Sequence, residues 1–399
     1  MEEFNAQEFV EKQVKEIRKI VGTKRTLIAV SGGVDSTTCA ALTHRALGEN
    51  LLCVMLDDAF MREGEPERVA RVLSNPPLNL PIKVVNVQSR FLDALKGLSD
   101  AEEKRKKFRE IFYKTLSETA EKESCLFLVQ GTIKPDILET AGGIKTQHNI
   151  LAQIGISPIE HYNFQIIEPL TSLYKPQVRQ VARYLGIPSE MSERQPFPGP
   201  GLSVRVVGEI KLDKLESLKK ATTIAEEKLA KHQPEQYFSA IIDNTEKPQD
   251  AIWKRVQEIV TQFLNVKSSQ VTVKILKEKA TGIRDGLRNY GEIVAVKVQE
   301  NSQCYQPPIQ NLVALQEKIV NDNKSLARVL YMVQEKLQKK PYLIAIRAIQ
   351  THDFMTAKVS EIPWVTLNEI TEEILKACLN VSSVCYDVTP KPPATIEME

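Results

Sequence analysis

The stretch Leu27-Ile28-Ala29-Val30-Ser31-Gly32-Gly33-Val34-Asp35-Ser36 decides the fold. Its apolar first part predicts a strand, and the helical pattern of residues 37–47 predicts that a helix follows the two glycines directly. Adjacent glycines let the main chain approach an anion closely, and the amides of residues 34–36 lack intrahelical partners at the start of that helix. Because the helix dipole adds positive charge there, we predict a phosphate-binding loop at residues 31–36.

This loop differs from the P-loop of kinases and GTPases. The pattern Gly-x4-Gly-Lys-Ser/Thr is absent, and no lysine stands in the loop to hold the phosphates of a nucleotide whose terminal phosphate is transferred. The motif Ser-Gly-Gly-x-Asp-Ser instead resembles the PP-loop of ATP pyrophosphatases, which cleave ATP between its α and β phosphates. The alternative interpretation is a plain glycine-rich turn between a strand and a helix.

Composition predicts a soluble chain of two or three domains. With 399 residues and 42% hydrophobic content it can bury substantial cores. No apolar run approaches the ~18 residues that cross a bilayer, and the acidic start Met1-Glu2-Glu3-Phe4 lacks the features of a secretion signal, so we expect a cytoplasmic protein without a membrane partner. The six cysteines form no Cys-x-x-Cys pair, which argues against zinc and iron-sulfur sites. The net charge of +2 gives no support for nucleic-acid binding.

Short apolar runs alternate with helical stretches in the first half of the chain, which predicts a parallel sheet with helices on both faces. The runs comprise residues 27–30, 51–56, 82–87 and 126–129. Ligands of such sheets bind beyond the carboxyl ends of the strands. The phosphate loop, Asp57-Asp58 and Gln130-Gly131-Thr132 all fall at such ends, so we expect them to converge on one site.

The pattern breaks at the proline-rich segment of residues 195–202. We predict an amino-terminal helix within residues 1–22, an α/β domain over 23–206 and a smaller α+β domain over 207–399. The charged stretch 213–231 predicts a solvated helix in the second domain.

An internal repeat marks this second domain. A helix-like pattern from Leu312, followed by Val-x-Tyr-x-Val from Val329, recurs with the same spacing from Leu367 and Val384. Each copy follows a strand-like apolar run, so we predict two strand-helix-strand units. A chance match of helical and strand periodicities is the alternative.

Further segments carry a resemblance to one family. They are Gln130-Gly131-Thr132-Ile133-Lys134-Pro135-Asp136, Glu168-Pro169-Leu170, the stretch Pro196-Phe197-Pro198-Gly199-Pro200-Gly201, Asp353-Phe354-Met355-Thr356-Ala357 and Lys391-Pro392-Pro393-Ala394-Thr395-Ile396-Glu397. Together with the loop they resemble the PP-loop ATP pyrophosphatase and dimerisation domains of the GMP synthetase family, over about residues 20–210 and 275–399. A PP-loop alone would also admit NAD, argininosuccinate or asparagine synthetases, which lack the third and fifth segments.

The resemblance implies a ligase that converts xanthosine monophosphate (XMP) to GMP. ATP would adenylate the 2-oxygen of the base with loss of pyrophosphate, and ammonia would then displace AMP. The residues implied to bind ATP are Ser31, Gly32, Gly33, Val34, Asp35, Ser36, Asp57 and Gly131. Asp35 is implied as a ligand of Mg²⁺, and Asp35, Asp136 and Lys145 as the catalytic residues. An exposed loop lysine is the alternative for Lys145.

The same resemblance implies a set of XMP-binding residues. They are Arg105, Pro198, Gly199, Gly201, Asp285, Arg288, Lys391, Ile396 and Glu397. Arginine and lysine suit a phosphate dianion, whereas a glutamate accepts hydrogen bonds from a base or ribose. Without the family, Arg105 would belong to a solvated basic helix face, and Lys391 to an ordinary tail.

Three features depart from the family pattern. Asp285-Gly286-Leu287-Arg288 stands where the family has Gly-Asp-x-Arg, and Gln147-His148-Asn149 stands where it usually has two histidines before asparagine. Residues of about 299–340 look like an insertion that enlarges the second domain. This leaves open whether the chain is a monomer or a homodimer.

A glutaminase is not indicated, because none of the five histidines stands in a His-x-Glu pair. We therefore expect ammonia to come from solution or from a separate glutaminase subunit. One competing interpretation is a PP-loop enzyme that modifies tRNA, which would require a basic surface and, for many thiolases, paired cysteines. Another is a nucleotide-binding scaffold that kept the fold without the activity.

Overall fold

The computed structural model describes residues 4–141, 162–193, 195–301, 303–351 and 355–399. The chain divides into two compact units. The first comprises Met1–Ala94 and Lys106–Gly199, and the second comprises Leu95–Arg105 and Pro200–Glu399. The predicted boundary after residue 206 falls inside the second unit, because Val206 forms a parallel bridge with Ile241 of that unit.

The first unit contains the predicted parallel sheet. Its strands are β1 (Arg25–Ala29), β2 (Leu51–Asp57), β3 (Ile82–Asn86), β4 (Cys125–Val129) and β5 (Gln165–Ile167). They lie in the order β3-β2-β1-β4-β5, and every neighbouring pair is parallel. Since β1 and β4 are neighbours, the phosphate loop after β1 and the segment after β4 leave the same edge of the sheet.

Helices cover both faces of this sheet. They are α1 (Ala6–Val21), α2 (Val34–Leu47), α3 (Glu65–Ser74), α4 (Gln88–Leu95), α5 (Ala101–Lys122), α6 (Lys134–Ala141), α7 (Lys175–Tyr184) and the short α8 (Ser189–Ser192). Residues 101–105 of α5 belong to the second unit. Alternate strand residues enter separate cores, with Ile28 and Cys53 packing in one and Leu27 and Val54 in the other. The parallel α/β fold predicted from the apolar runs is thus confirmed.

The second unit is built on a mixed sheet. Its strands are β6 (Gln236–Asp243), β7 (Val271–Arg284), β8 (Leu287–Glu300), β9 (Gln303–Cys304), β10 (Leu326–Glu335), β11 (Tyr342–Gln350), β12 (Lys358–Val359) and β13 (Val381–Asp387). The main order is β12-β11-β13-β10-β8-β7, with β6 antiparallel to β11 and β9 antiparallel to β8. Its helices are α9 (Leu212–Leu229), α10 (Ala251–Leu264), α11 (Ile309–Asp322) and α12 (Trp364–Ala377).

This sheet curls until its two edges meet. The chain that follows β6 pairs with β7 through a bridge between Glu246 and Leu276, with a bond from the Lys247 amide to the Ile275 carbonyl at 2.8 Å. The enclosed core combines small side chains, among them Ala240, Ala295, Ala345 and Cys385, with larger ones such as Phe238, Leu330 and Met332. Small residues there let the strands close around a narrow core.

The internal repeat predicted from the sequence is confirmed. In the first copy, β8 and β10 are parallel neighbours joined through α11, and in the second, β11 and β13 are parallel neighbours joined through α12. The copies meet where β10 pairs antiparallel with β13, and there Tyr331 lies opposite Tyr386. These tyrosines occupy equivalent positions in the two sequence patterns, so the copies are related by an approximate two-fold rotation.

The prediction of a solvated helix at residues 213–231 is wrong. Helix α9 buries Leu215, Leu218, Ala221, Ala225 and Leu229, and Ser239 of β6 donates to the main-chain oxygen of Ala221 at 3.1 Å. The charged residues between these positions occupy the other helix face, which hid the apolar stripe.

Candidate nucleotide-binding sites

The phosphate loop is closed by its two serines. The Ser31 and Ser36 hydroxyls lie 3.0 Å apart, and the Ser36 hydroxyl also donates to the Gly33 carbonyl at 3.1 Å. Gly32 has φ +77°, and a Cβ at this position would lie 2.8 Å from Val69. Helix α2 begins at Val34 after Gly33, which supplies no side-chain cap, so the first-turn amides stay available for an anion.

A lysine that sequence reasoning missed lies at this loop. Lys175 Nζ donates to Asp35 Oδ2 at 2.5 Å, and both side chains are about one-third exposed. The other oxygen, Asp35 Oδ1, is buried without a hydrogen-bond partner. Lys175 occupies the first turn of α7, where the helix dipole disfavours a cation. A lysine followed by proline at a predicted helix start is unfavourable for the helix, so this pair could have indicated from the sequence that Lys175 has an acidic partner elsewhere.

Gly131 lies directly against the loop. A Cβ on Gly131 would stand 2.9 Å from the Asp35 carbonyl carbon and 3.0 Å from the Ser36 nitrogen. Real Cβ atoms do not approach main-chain atoms so closely, so any other residue would push β4 and α2 apart. The sequence placed these two segments at one site, and the structure brings them into contact.

Two predicted acidic residues have local partners. Asp57 Oδ2 accepts from Gln88 Nε2 at 2.6 Å at the carboxyl end of β2. Asp136 Oδ2 accepts from the Ile133 amide at 3.0 Å, just before α6 begins. The second contact satisfies an otherwise unpaired amide at a helix start, which is a structural task. Nearby, Thr132 donates to Glu168 at 2.5 Å, and burial raises the pKa of the Glu168 carboxyl.

Several predicted residues lie outside the described ones or have few side-chain features. Lys145 and the Gln147-His148-Asn149 segment are outside the described residues, as is Asp353. Pro198 and Gly199 close the first unit, and Gly201 opens a short turn in the second with φ +59°.

Two of the predicted XMP-binding residues, Arg105 and Arg288, lie close together in the second unit. Arg105 and Arg288 share Glu102, with nitrogen–oxygen distances of 3.7 and 3.2 Å. Burial lowers the pKa of the Arg105 guanidinium, and the nearby positive charge of Arg288 lowers it further. Arg105 Nη1 is buried without a hydrogen-bond partner. Such a pair suits a phosphate, which would relieve the repulsion between the two cations.

Asp285 lies in a tight turn just before Arg288. Asp285 and Gly286 have φ values of +51° and +75°, and they join β7 to β8 as a two-residue hairpin turn. An Asp-Gly pair between two strands is a strong hairpin signal, which sequence reasoning passed over. The Asp285 side chain is exposed at this tip, so the structure shows a turn-forming role for it.

The tail of residues 391–399 is laid into the second unit. Lys391 pairs with Ala357 through two main-chain hydrogen bonds of 2.9 and 3.0 Å, and Ala394 forms a bridge with Gly282 of β7. A Cβ on Gly282 would lie 3.0 Å from the Pro393 oxygen, so a glycine is needed for the tail to lie on this strand. Ala394 and Met398 are fully buried.

Buried arginines hold the end of this tail. Arg205 makes two bonds of 2.9 Å to the Glu397 carboxylate. Arg328 and Arg347 both donate to the Thr395 carbonyl, at 2.9 and 3.0 Å. These last two share one counter-ion, the fully buried Asp387, and the negative charge of Glu397 also acts on Arg328. Burial lowers the pKa of Arg328 to about 10, and Arg347 adds to that effect.

Comparison with known proteins identifies the family. A PP-loop domain model matches residues 6–189, and a GMP synthase C-terminal domain model matches residues 333–398. The B subunit of glutamine-hydrolyzing GMP synthase from Sulfurisphaera tokodaii is 40% identical over 398 residues, which cover 99% of this chain and 100% of that protein. This chain belongs to the family of GMP synthase B subunits.

A second relative agrees with this membership. The GMP synthase B subunit of Methanopyrus kandleri is 39% identical over 396 residues, covering 99% of this chain and 100% of that protein. NMN synthetase from Francisella tularensis is a solved structure with a TM-score of 0.40 and 18% identity over 50% of this chain and 79% of that chain. The prediction of a GMP synthase ligase with a PP-loop domain is confirmed by the full-length relatives.

The GMP synthase family model covers only part of the repeat. Its match starts at residue 333, within β10, and so includes the second copy and the tail but not β8 or α11. The first copy is not peculiar to this chain, because the Sulfurisphaera tokodaii protein is matched over its whole length.

Proposed function

We propose that this chain aminates XMP to GMP in two steps that consume ATP. In the first, the oxygen on carbon 2 of the base attacks the α-phosphorus of ATP, pyrophosphate leaves, and a ring nitrogen beside that carbon loses its proton to solvent. In the second, ammonia adds at the same carbon and AMP leaves with the oxygen, while the nitrogen loses a proton to solvent. The full-length match to GMP synthase B subunits carries this proposal, and the loop geometry supports it.

We assign ATP to the loop of the first unit. The amides at the start of α2 and the hydroxyls of Ser31 and Ser36 would hold the departing pyrophosphate. Lys175, which forms an ion pair with Asp35, would offset the negative charge that develops on the departing pyrophosphate. Gly131 would allow the segment after β4 to lie against the loop. Asp57 would contribute from the carboxyl end of β2, the strand next to β1. A catalytic role for Asp136 or Lys145 stays a prediction.

Asp35 fits the role of a Mg²⁺ ligand. Its Oδ1 atom is buried without a hydrogen-bond partner, so one hard oxygen is available there. Magnesium commonly uses one or two carboxylates and completes its shell with phosphates and water. Among the described residues, no cluster of three or more metal-binding side chains occurs. Bound there, the ion would neutralise phosphate charge.

We assign XMP to the second unit. Arg105 and Arg288 would hold its phosphate together with Lys391, while Ile396 and Glu397 would contact the nucleoside. Both Glu397 oxygens already accept from Arg205, so the nucleoside would use the lone pairs that remain. Roles for Pro198, Gly199, Gly201 and Asp285 rest on the resemblance alone.

The relatives are named as one subunit of a glutamine-hydrolyzing enzyme, which supports a separate glutaminase subunit as the source of ammonia. Within the described part of the chain, none of the helices is both long and apolar enough to span a bilayer. A cytoplasmic location and a homodimeric state stay predictions.

The test is a product assay with XMP, ATP, Mg²⁺ and ammonium. We expect GMP, AMP and pyrophosphate in equal amounts, and no AMP when XMP is omitted. The deamidated precursor of NAD should give no product, which separates this activity from that of NAD synthetases. AMP released without GMP, or formed equally well without XMP, would contradict the proposal.

A further inference from the structure

Glu399 joins three separate segments of the second unit. Its carboxylate forms an ion pair with Lys104 of α5 and accepts from the Gly208 amide at 2.8 Å. Its main-chain nitrogen donates to the Val204 carbonyl at 3.2 Å, and its main-chain oxygen accepts from Arg105. One residue thus contacts both neighbouring cations of α5 and the segment that follows the proline-rich loop.

Lys104 is fully buried and connects the same three segments, namely α5, the tail and residues 204–208. Its Nζ donates to the carbonyls of Val206 at 2.7 Å and Gly208 at 2.9 Å. Lys214 of α9, also fully buried, donates to the intervening Val207 carbonyl at 2.6 Å. A buried lysine that makes an ion pair and two hydrogen bonds holds its helix in one position, since any shift would leave a charge unpaired.

The charge balance around Glu399 depends on this pair. Lys104 of α5 and Lys214 of α9 face the Glu399 carboxylate, Glu278 of β7 acts on both lysines, and Asp243 of β6 lies 2.8 Å from Lys214. Two buried lysines therefore meet three carboxylates, of which Glu399 is buried and Glu278 and Asp243 are partly exposed. Removing Lys104 alone would leave the buried Glu399 carboxylate without its ion-pair partner, whereas the double removal takes away the pair as a whole.

These contacts lie beside residues that we assign to XMP. Arg105 follows Lys104 on α5, Ile396 and Glu397 precede Glu399 on the tail, and Gly201 precedes the segment that Glu399 and Lys104 bind. We propose that Glu399 and Lys104 are positioning residues, which fix Arg105 and the tail in the geometry that binds XMP. This inference rests on the assignment of XMP to the second unit.

The test compares XMP and ATP parameters in Glu399→Gln, Lys104→Met and the double variant. We expect each single variant to raise the KM for XMP by about tenfold while kcat at saturating XMP and the KM for ATP change less than about twofold. The double variant should lose no more than the worse single variant, because the two residues act as one unit. Lys106→Met, on an exposed position of the same helix, is the matched control and should behave as wild type.

The variants Glu397→Gln and Lys391→Met test the assignment of XMP to the second unit independently of the positioning role of Glu399 and Lys104. If these weaken XMP binding and the Glu399 and Lys104 variants do not, the positioning role is wrong and the XMP assignment stands. If none of the four variants changes XMP binding, both are wrong. Equal losses for XMP and ATP in folded Glu399→Gln and Lys104→Met proteins would indicate general loosening and would also overturn the inference. Thermal unfolding of each variant establishes that it is folded.

Discussion

At the residue scale, the two carboxylate oxygens of Asp35 have different environments in the loop. One accepts from Lys175, and the other is buried without a hydrogen-bond partner. Asparagine would keep the side-chain volume but would replace one oxygen by an NH2 group. That group can neither accept a hydrogen bond from Lys175 nor bind a metal ion. The carboxylate is therefore needed for its charge, not for its shape.

We expect Asp35→Asn to fold normally and to lose about a hundredfold or more in kcat, because one charge contact in such a site contributes a few kcal/mol to the transition state. The measurement is initial rate across a range of Mg²⁺ concentrations. Near-normal turnover at limiting magnesium would show that Asp35 does not hold the ion. Glu67→Gln, an exposed change in the first turn of α3, is a suitable control.

Glu399 gives a prediction for stability against pH. Burial raises the pKa of its carboxyl from 4.5 to about 7, although Lys104 opposes this effect. Between these values the folded state holds the proton more tightly than the unfolded state. The stability that this group contributes is therefore complete below the lower value and is lost as pH rises through the higher one.

Relative to Glu399→Gln, the wild-type protein should lose at most about 3 kcal/mol of unfolding free energy as pH rises from about 5 to about 8. Urea unfolding of the two proteins at matched pH values measures the difference, and other titrating groups cancel in it. A difference that stays constant with pH would mean that Glu399 does not change its protonation on folding.

The sequence predicted Asp35 but not Lys175, and the reason is topological. The two residues meet because α7, which follows β5, packs against α2, which follows the loop after β1, although β4 separates the two strands. No local pattern identifies which of many lysines will meet a given aspartate. Arg347 is different, since it lies inside a nearly continuous apolar run, residues 342–349, that is buried on both faces, so its burial could have been inferred from the residues around it.

At the element scale, the tail behaves as a structural part of its unit. Ordinary terminal segments fray, but this one bridges to β7 and covers the end of the curled sheet with Met398. Deleting residues 391–399 would therefore expose apolar core and leave Arg205 and Arg328 without their tail partners. Loss of XMP binding in such a deletion would be expected on structural grounds alone, so a point change is the sharper test.

We expect Lys391→Met to raise the KM for XMP by about tenfold with little change in the KM for ATP, because it removes a cation while the two main-chain bonds to Ala357 remain. Lys358→Met is the matched control, since Lys358 is exposed on the adjacent β12. Binding titrations with each nucleotide decide the matter. Unchanged XMP affinity in Lys391→Met would exclude Lys391 from the phosphate site.

Helices and strands were easier to predict from the sequence than the contacts that bury their side chains. The repeat could be found because its apolar spacing is the same in both copies, and the structure shows the two patterns as equivalent strand-helix-strand units. Helix α9 was misjudged because charged residues on its exposed face hid the apolar stripe, and because one charged residue, Lys214, is itself fully buried beside Leu215 and Leu218. A charge that is buried by pairing with Asp243 cannot be told from a solvated one in a single sequence.

At the scale of the whole molecule, our proposal assigns ATP to the first unit and XMP to the second. The first supplies a loop shaped for pyrophosphate, and the second supplies the arginine pair and the anchored tail. Family membership assigns the reaction, while fold alone could not, because parallel sheets with PP-loops serve several amide-forming and adenylating enzymes. The ammonia source is the property of the whole molecule that the site residues do not determine.

Nitrogen use therefore provides the last prediction. Hydrolysis of glutamine needs an activated nucleophile, and among the described residues every cysteine is free, five of the six being buried, and burial raises the pKa of each thiol. We expect the purified chain to form GMP with ammonium but not with glutamine, and to gain glutamine-dependent activity when a glutaminase subunit is added. The measurement is GMP formation with each nitrogen donor at equal XMP and ATP. Appreciable glutamine-driven synthesis by the chain alone would contradict the separate-subunit proposal, and activity with neither donor would contradict the amination itself.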